Sequence, residues 1–153
     1  MFHLALLRSV EVMVVRVKLR IRLSSSGREV VTSAVANAGF ESDEPEVIVP
    51  TKVARELGVY PVLPANATVD RYVVAGGRVV RVYRLPKELT NVSVVTEDRE
   101  VGPVSVVLTI MPGEEDVLLS DKAIDLLGIV LVKPGQGLWK FIDDPPDKLR
   151  KSE

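Results

Sequence analysis

Polar and apolar residues alternate through the first well-defined element of the chain. Val15, Val17, Leu19, Ile21 and Leu23 interleave with Arg16, Lys18, Arg20 and Arg22, a period of two that predicts a strand with one buried face. Ser24 to Gly27 reads as a turn and 29–36 as the returning strand. An acidic loop over 41–46 leads into a short apolar strand at Val47, Ile48 and Val49. Pro50-Thr51 then precedes a short helix over 52–57, stopped by Gly58, where glycine takes the left-handed conformation without a Cβ clash. A loop with Pro61 and Pro64 fills 60–70. Strands at 72–74 and 79–83 form a hairpin around a tip at Ala75, Gly76 and Gly77, expected to be the most mobile ordered part of the domain. A further hairpin pairs 92–95 with one long return strand, 104–110. After a strand at 117–119, Ser120 caps a second short helix over 121–127, stopped by Gly128. Strands at 129–132 and 138–142 follow, and the charged, proline-bearing segment 143–153 is expected to be a loose tail.

The 153 residues suit one domain, here 13–142, flanked by an N-terminal extension over 1–12 and the tail over 143–153. Aromatic residues make up only 5% of the chain, so the core is aliphatic, and its many valines favour strands over helices. The class expected is mostly β. A net charge of −1 gives no global attraction toward nucleic acid or an anionic membrane. The four basic side chains on one face of the first strand lack the interleaved aromatics of a nucleic-acid platform, so a solvated face is expected and nucleic acid is not an expected partner. There is no cysteine, and His3 is the only histidine, which removes thiol chemistry, disulfides and a histidine-based zinc site. Neither 41–46 nor Glu114-Glu115-Asp116 has calcium-loop spacing. No metal and no cofactor is expected. The apolar run from Phe2 to Leu7 is too short for a membrane span and lacks the flanks of a signal peptide, so the expectation is a cytoplasmic protein with no membrane partner. Absence of cysteine and abundance of charge also suit a heat-adapted host. Trp139 and Phe141, alternating on the last strand, are expected in packing roles.

Two segments repeat. Ile48-Val49-Pro50-Thr51-Lys52 with Leu57-Gly58-Val59 matches Leu118-Leu119-Ser120-Asp121-Lys122 with Leu127-Gly128-Ile129, each position answered 70 residues on. Each copy is strand, cap, short helix, glycine stop, strand, which predicts two units packed across a pseudo-twofold axis.

In the order of these elements the chain resembles the retroviral-type (retropepsin-like) aspartic proteases over roughly 13–142. Val35-Ala36 leads into Asn37-Ala38-Gly39 where the family has Asp-Thr/Ser-Gly. Ala75-Gly76-Gly77 is similar to the tip of the flap that covers substrate, and Leu118-Leu119 resembles the closing apolar pair before the second helix. The resemblance implies a closed β-barrel of the acid-protease type, a homodimer with Asn37 of each copy near the twofold axis, and a cleft for peptide. It also implies that the catalytic position is degenerate. The family's two carboxylates share a proton and activate water, whereas the amide of Asn37 cannot act as a general base near neutral pH, and Ala38 lacks the hydroxyl that locks the two loops together. Three functions are therefore open: a degenerate domain acting by binding or dimerisation, an active aspartic endopeptidase with a displaced carboxylate such as Asp43, or a basic-faced nucleic-acid-binding module. The terminal strands, Leu138–Ile142 and the apolar run at 2–7, are the expected dimer edges.

Overall fold

The computed structural model describes residues 2–3, 14–36 and 39–153. In chain order the strands are β1 (Phe2–His3), β2 (Arg16–Leu23), β3 (Glu29–Val35), β4 (Glu46–Val49), β5 (Thr68–Val73), β6 (Val79–Leu85), β7 (Thr90–Val95), β8 (Glu100–Ser105), β9 (Val107–Ile110), β10 (Val117–Leu119), β11 (Ile129–Lys133), β12 (Leu138–Phe141) and β13 (Arg150–Lys151). Two short helices, α1 (Thr51–Leu57) and α2 (Asp121–Leu126), follow β4 and β10. The protein is mostly β, as its valine-rich alternation predicts. No helix among the described residues is long and apolar enough to cross a membrane.

Ten strands form one sheet in the order β1-β5-β6-β9-β4-β10-β3-β2-β7-β8, and β11-β12-β13 form a second, smaller one. Pairing in the large sheet runs from β1 to β8 and does not close into a barrel among the described residues. The alternation in β2 is realised in full: Val15, Val17, Leu19, Ile21 and Leu23 are buried while the intervening residues face outward. They pack with Val53, Ala54 and Leu57 of α1, Ala123 and Ile124 of α2, and Trp139 and Phe141 of β12 in the main core. A second apolar cluster holds Val35, Phe40, Ile48, Tyr72, Val82, Met111 and Leu118.

Both helices end as the sequence predicts. Gly58 has φ 79° and its N–H donates to Arg55 O. An ideal Cβ there would also lie 2.4 Å from Arg28 Nη1. The Ser120 side chain accepts from Ala123 N and caps α2.

Four expectations are corrected. The strand leading into the glycine-tipped hairpin begins at Thr68, not 72. Its polar residues hide the alternation, and six cross-strand pairs from Thr68↔Arg84 to Val73↔Val79 hold it. The long return strand over 104–110 is two strands. β8 pairs with β7, and after Val106 the chain leaves that edge so that β9 pairs with β4 and β6. The segment 143–153 is not loose: β13 pairs with β12, Ser152 Oγ accepts from Arg16 N at 2.8 Å and donates to Val14 O at 2.9 Å, and Asp144 is buried against Arg150. Local composition suggested a solvated tail, but its charges find partners distant in sequence. That ordering also removes the argument for a dimer edge at 138–142, because β12 is the central strand of its sheet. Of the apolar run at 2–7, residues 2–3 form β1 on the edge of β5, and the remainder lies outside the described residues.

Candidate functional site

The centre of the large sheet is built from two interlocked crossings. β3 and β4 are joined by the loop 36–45, yet β10 lies between them, parallel to β3 and antiparallel to β4. β9 and β10 are joined by the loop 111–116, yet β4 lies between them, parallel to β9. The register fixes the symmetry. Ile48 pairs directly with Leu118, its own counterpart in the 70-residue repeat, so a local twofold axis passes through that pair. The same rotation carries the pairs Val117↔Ala34 and Leu118↔Val35 onto Val47↔Leu108 and Ile48↔Thr109.

Before the crossing, then, Ala34 answers to Leu108 and Val35 to Thr109, 74 residues on rather than 70. The first loop is longer by that difference. A uniform 70-residue shift places Val107 opposite Asn37 and leaves the second half without a matching loop; the strand register instead sets sequence positions 37–39 against Met111-Pro112-Gly113. Asn37 and Ala38 themselves lie outside the described residues. Gly39 is described, at φ 73°, and its counterpart Gly113 has φ 92°. Both occupy the left-handed region that favours glycine, so this turn is a shared feature of the two halves.

The hairpin β5–β6 folds over this centre. Tyr72 of β5 and Val82 of β6 are fully buried with Val35, Ile48 and Leu118, and Val74 and Val80 pack against the same cluster. Its tip is closed by Val74 N donating to Arg78 O at 2.9 Å and Gly77 N donating to Val74 O at 3.0 Å. Gly76 and Gly77 have φ of 89° and 82° and open space around them, so conformation rather than crowding requires glycine there. Ala75, Gly76 and Gly77 are exposed. A cleft of about 290 Å³ separates the tip from the second loop, lined by Val74, Ala75, Arg78, Met111, Gly113 and Glu114 among others.

The hairpin is bound to the first loop by a group the sequence did not reveal. Glu46, expected to close a solvated acidic loop, is instead the first residue of β4 and has no exposed surface. Ser42 Oγ donates to its Oε1 at 2.6 Å and Thr109 Oγ1 to its Oε2 at 2.5 Å. The Tyr72 hydroxyl donates to Oε2 as well, and Arg84 Nη2 reaches Oε1 at 3.5 Å. Burial, and then the adjacent Glu46 carboxylate, push the Tyr72 hydroxyl far above its ordinary value, so it stays protonated and donating. The sequence signal was indirect: Thr109 is a polar residue within the otherwise apolar β9.

Both oxygens of Glu46 are occupied by donors and no surface reaches solvent. This carboxylate cannot take a proton from a water on a substrate; its place is structural, tying the loop 39–46 to β5, β6 and β9. Asp43 is not among the hydrogen-bond partners of Glu46. It is exposed, and Lys122 Nζ donates to its backbone oxygen at 2.6 Å.

The basic face of β2 is engaged by carboxylates. Arg16 pairs with Asp116 at 3.3 Å, Lys18 with Glu153 at 3.9 Å, and Arg20 with Glu29 and with Glu100, the latter at 3.2 Å. Phosphate would have to compete with those partners. No protein-family model matches the chain, and no curated protein matches it at a significant level. The crossed loops, the hairpin and the Glu46 cluster are therefore what bears on function.

Proposed function

We propose that the protein is a catalytically degenerate domain of the aspartic-protease type that binds an extended peptide at the β5–β6 hairpin. The observation that carries this is the register of the two crossed loops. Extended along the sequence, it aligns Asn37-Ala38-Gly39 with Met111-Pro112-Gly113, and neither triplet contains the carboxylate that a proton-sharing dyad needs. The glycine-tipped hairpin over the crossing offers a strand edge, and the saturated Glu46 supports a rigid frame without an acid. Main-chain pairing with an extended segment is the interaction such an edge favours.

Peptidase activity tests the degenerate centre. An unfolded protein substrate incubated with the chain from acid to neutral pH is expected to remain intact. Pepstatin-sensitive cleavage that persists in Asp43→Ala would show that the crossing houses an acid elsewhere, and cleavage lost in Asp43→Ala would favour the displaced carboxylate.

Homodimerisation is part of the proposal, with Asn37 of each copy near the twofold axis. Its support is that one chain carries one Asn-Ala-Gly element; it does not run through β12, which is covered on both sides. Sedimentation equilibrium is expected to give a dimer at tens of micromolar, and a monomer there would remove dimerisation while leaving the peptide-binding edge.

A further inference from the structure

The free side of the hairpin is already occupied. β1 is the end strand of the large sheet and pairs parallel to β5 at Phe2↔Tyr72 and His3↔Val73. These are the last two residues of β5, next to the tip that begins at Val74. Below them, Thr68 to Arg71 have no partner strand on that side among the described residues, and Val69 is 61% exposed. β5 itself is a firm platform. Six pairs join it to β6, Tyr72 is buried, and its hydroxyl is held by Glu46. The inner residues of the hairpin pack against Val35, Ile48 and Leu118, so its inner face is filled and the edge of β5 is where a further strand can pair.

We propose that β1 is a strap: residues 2–3 occupy, in cis, the edge of β5 on which an extended peptide would pair, and that edge admits a peptide when the strap leaves. This rests on the peptide-binding function proposed above. A strand edge bears a row of backbone donors and acceptors that pair with any extended chain, and β1 shows that this edge accepts a strand. A ladder of two residues contributes little net, since each hydrogen bond replaces one to water. The strap therefore opens as a local event while the ten-stranded sheet stays intact. The same segment, covering the edge when no ligand is present, keeps the hairpin from pairing with strands of other chains.

The test compares the full chain with a full-length variant carrying Phe2→Pro and His3→Pro. Proline removes the backbone donors of both residues. In hydrogen exchange, the amide of Val73, which faces β1, is expected to exchange at least about tenfold faster in the variant, with the amides of β2 and β7 unchanged as the control for folding. Equal exchange of Val73 in the two chains overturns the strap. Fluorescence anisotropy with a labelled alternating valine–threonine decapeptide then reads peptide binding: binding at least about tenfold tighter to the variant than to the unmodified chain supports competition at this edge. Faster exchange of Val73 in the variant without decapeptide binding to either chain keeps the strap and overturns the peptide-binding function instead.

Discussion

Glu46→Ala is expected to destabilise the domain by about 3–5 kcal/mol, the range for breaking a buried charged cluster by removing one member. The carboxylate is fully buried and gathers Ser42, Thr109, Tyr72 and Arg84 from the first loop, β9, β5 and β6. Its loss leaves the Tyr72 and Thr109 hydroxyls without their acceptor in a site that water does not reach, and each orphaned group costs about 1–3 kcal/mol. Arg84 suffers less, because Asp70 Oδ2 at 3.8 Å and Glu44 Oε2 at 4.0 Å are alternative partners. Two further variants separate hydrogen bonding from packing. Glu46→Gln keeps the volume but removes the charge and turns one acceptor into a donor, so the hydroxyls on that side must reverse from donating to accepting, and about 1–3 kcal/mol should be lost. Tyr72→Phe removes a donor and leaves the carboxylate three others, so a smaller cost of about 1 kcal/mol is expected. Urea denaturation measures all three. A loss below about 1 kcal/mol in Glu46→Ala would mean that the cluster is solvated and does not bind hairpin to loop.

That cluster also marks the boundary of what could be read along the chain. Features set by neighbours in sequence were legible. Alternation in β2, the Ser120 cap and the Gly58 stop are decided by a few consecutive residues, and all three stand in the structure. The 70-residue repeat was legible too, and the Ile48↔Leu118 pair gives it a physical axis. What escaped was set by pairing between distant segments. Nothing near Val117 announces that it will lie between β3 and β4. Without that insertion the counterpart of Asn37 cannot be found, since the loops differ in length and the offset changes from 70 to 74 across them. Glu46 looked like the last member of an acidic run because its four donors come from positions 42, 72, 84 and 109. The C-terminal segment looked solvated for the same reason.

Arg150→Met is expected to lower stability by about 3 kcal/mol, the lower end of the range for breaking a buried ion pair. For a domain of this size that corresponds to roughly 6–12 °C in Tm. Arg150 stands at the junction of the small sheet and the β7–β8 turn. Its Nε donates to Asp144 Oδ2 at 2.8 Å and its Nη2 to Asp144 Oδ1 at 3.0 Å, a bidentate pair with both side chains nearly buried. Nη1 donates to Asp98 Oδ1 at 2.7 Å, and the guanidinium lies 4.8 Å from the centre of the Phe141 ring. The lower end is chosen because Asp144 keeps Phe141 N at 2.8 Å and has Arg99 at 3.6 Å. Acid should reveal the same pair. The Arg150 guanidinium lowers the Asp144 carboxyl from 3.8 to about 2, against an opposing push from burial. A carboxylate depressed in the folded state adds stability above its unfolded pKa and loses it as pH falls through the folded value. The unmodified domain should therefore lose stability between 3.8 and about 2, and Arg150→Met should show a shallower fall over that interval, because most of the depression has gone. Combining it with Asp144→Asn removes the unpaired charge, so the double variant should be no less stable than Arg150→Met alone. Thermal unfolding at neutral and acid pH reads both effects. An unchanged acid limb in Arg150→Met would show that Asp144 owes its low pKa to the backbone N–H of Phe141 and not to the clamp that holds β13 in place.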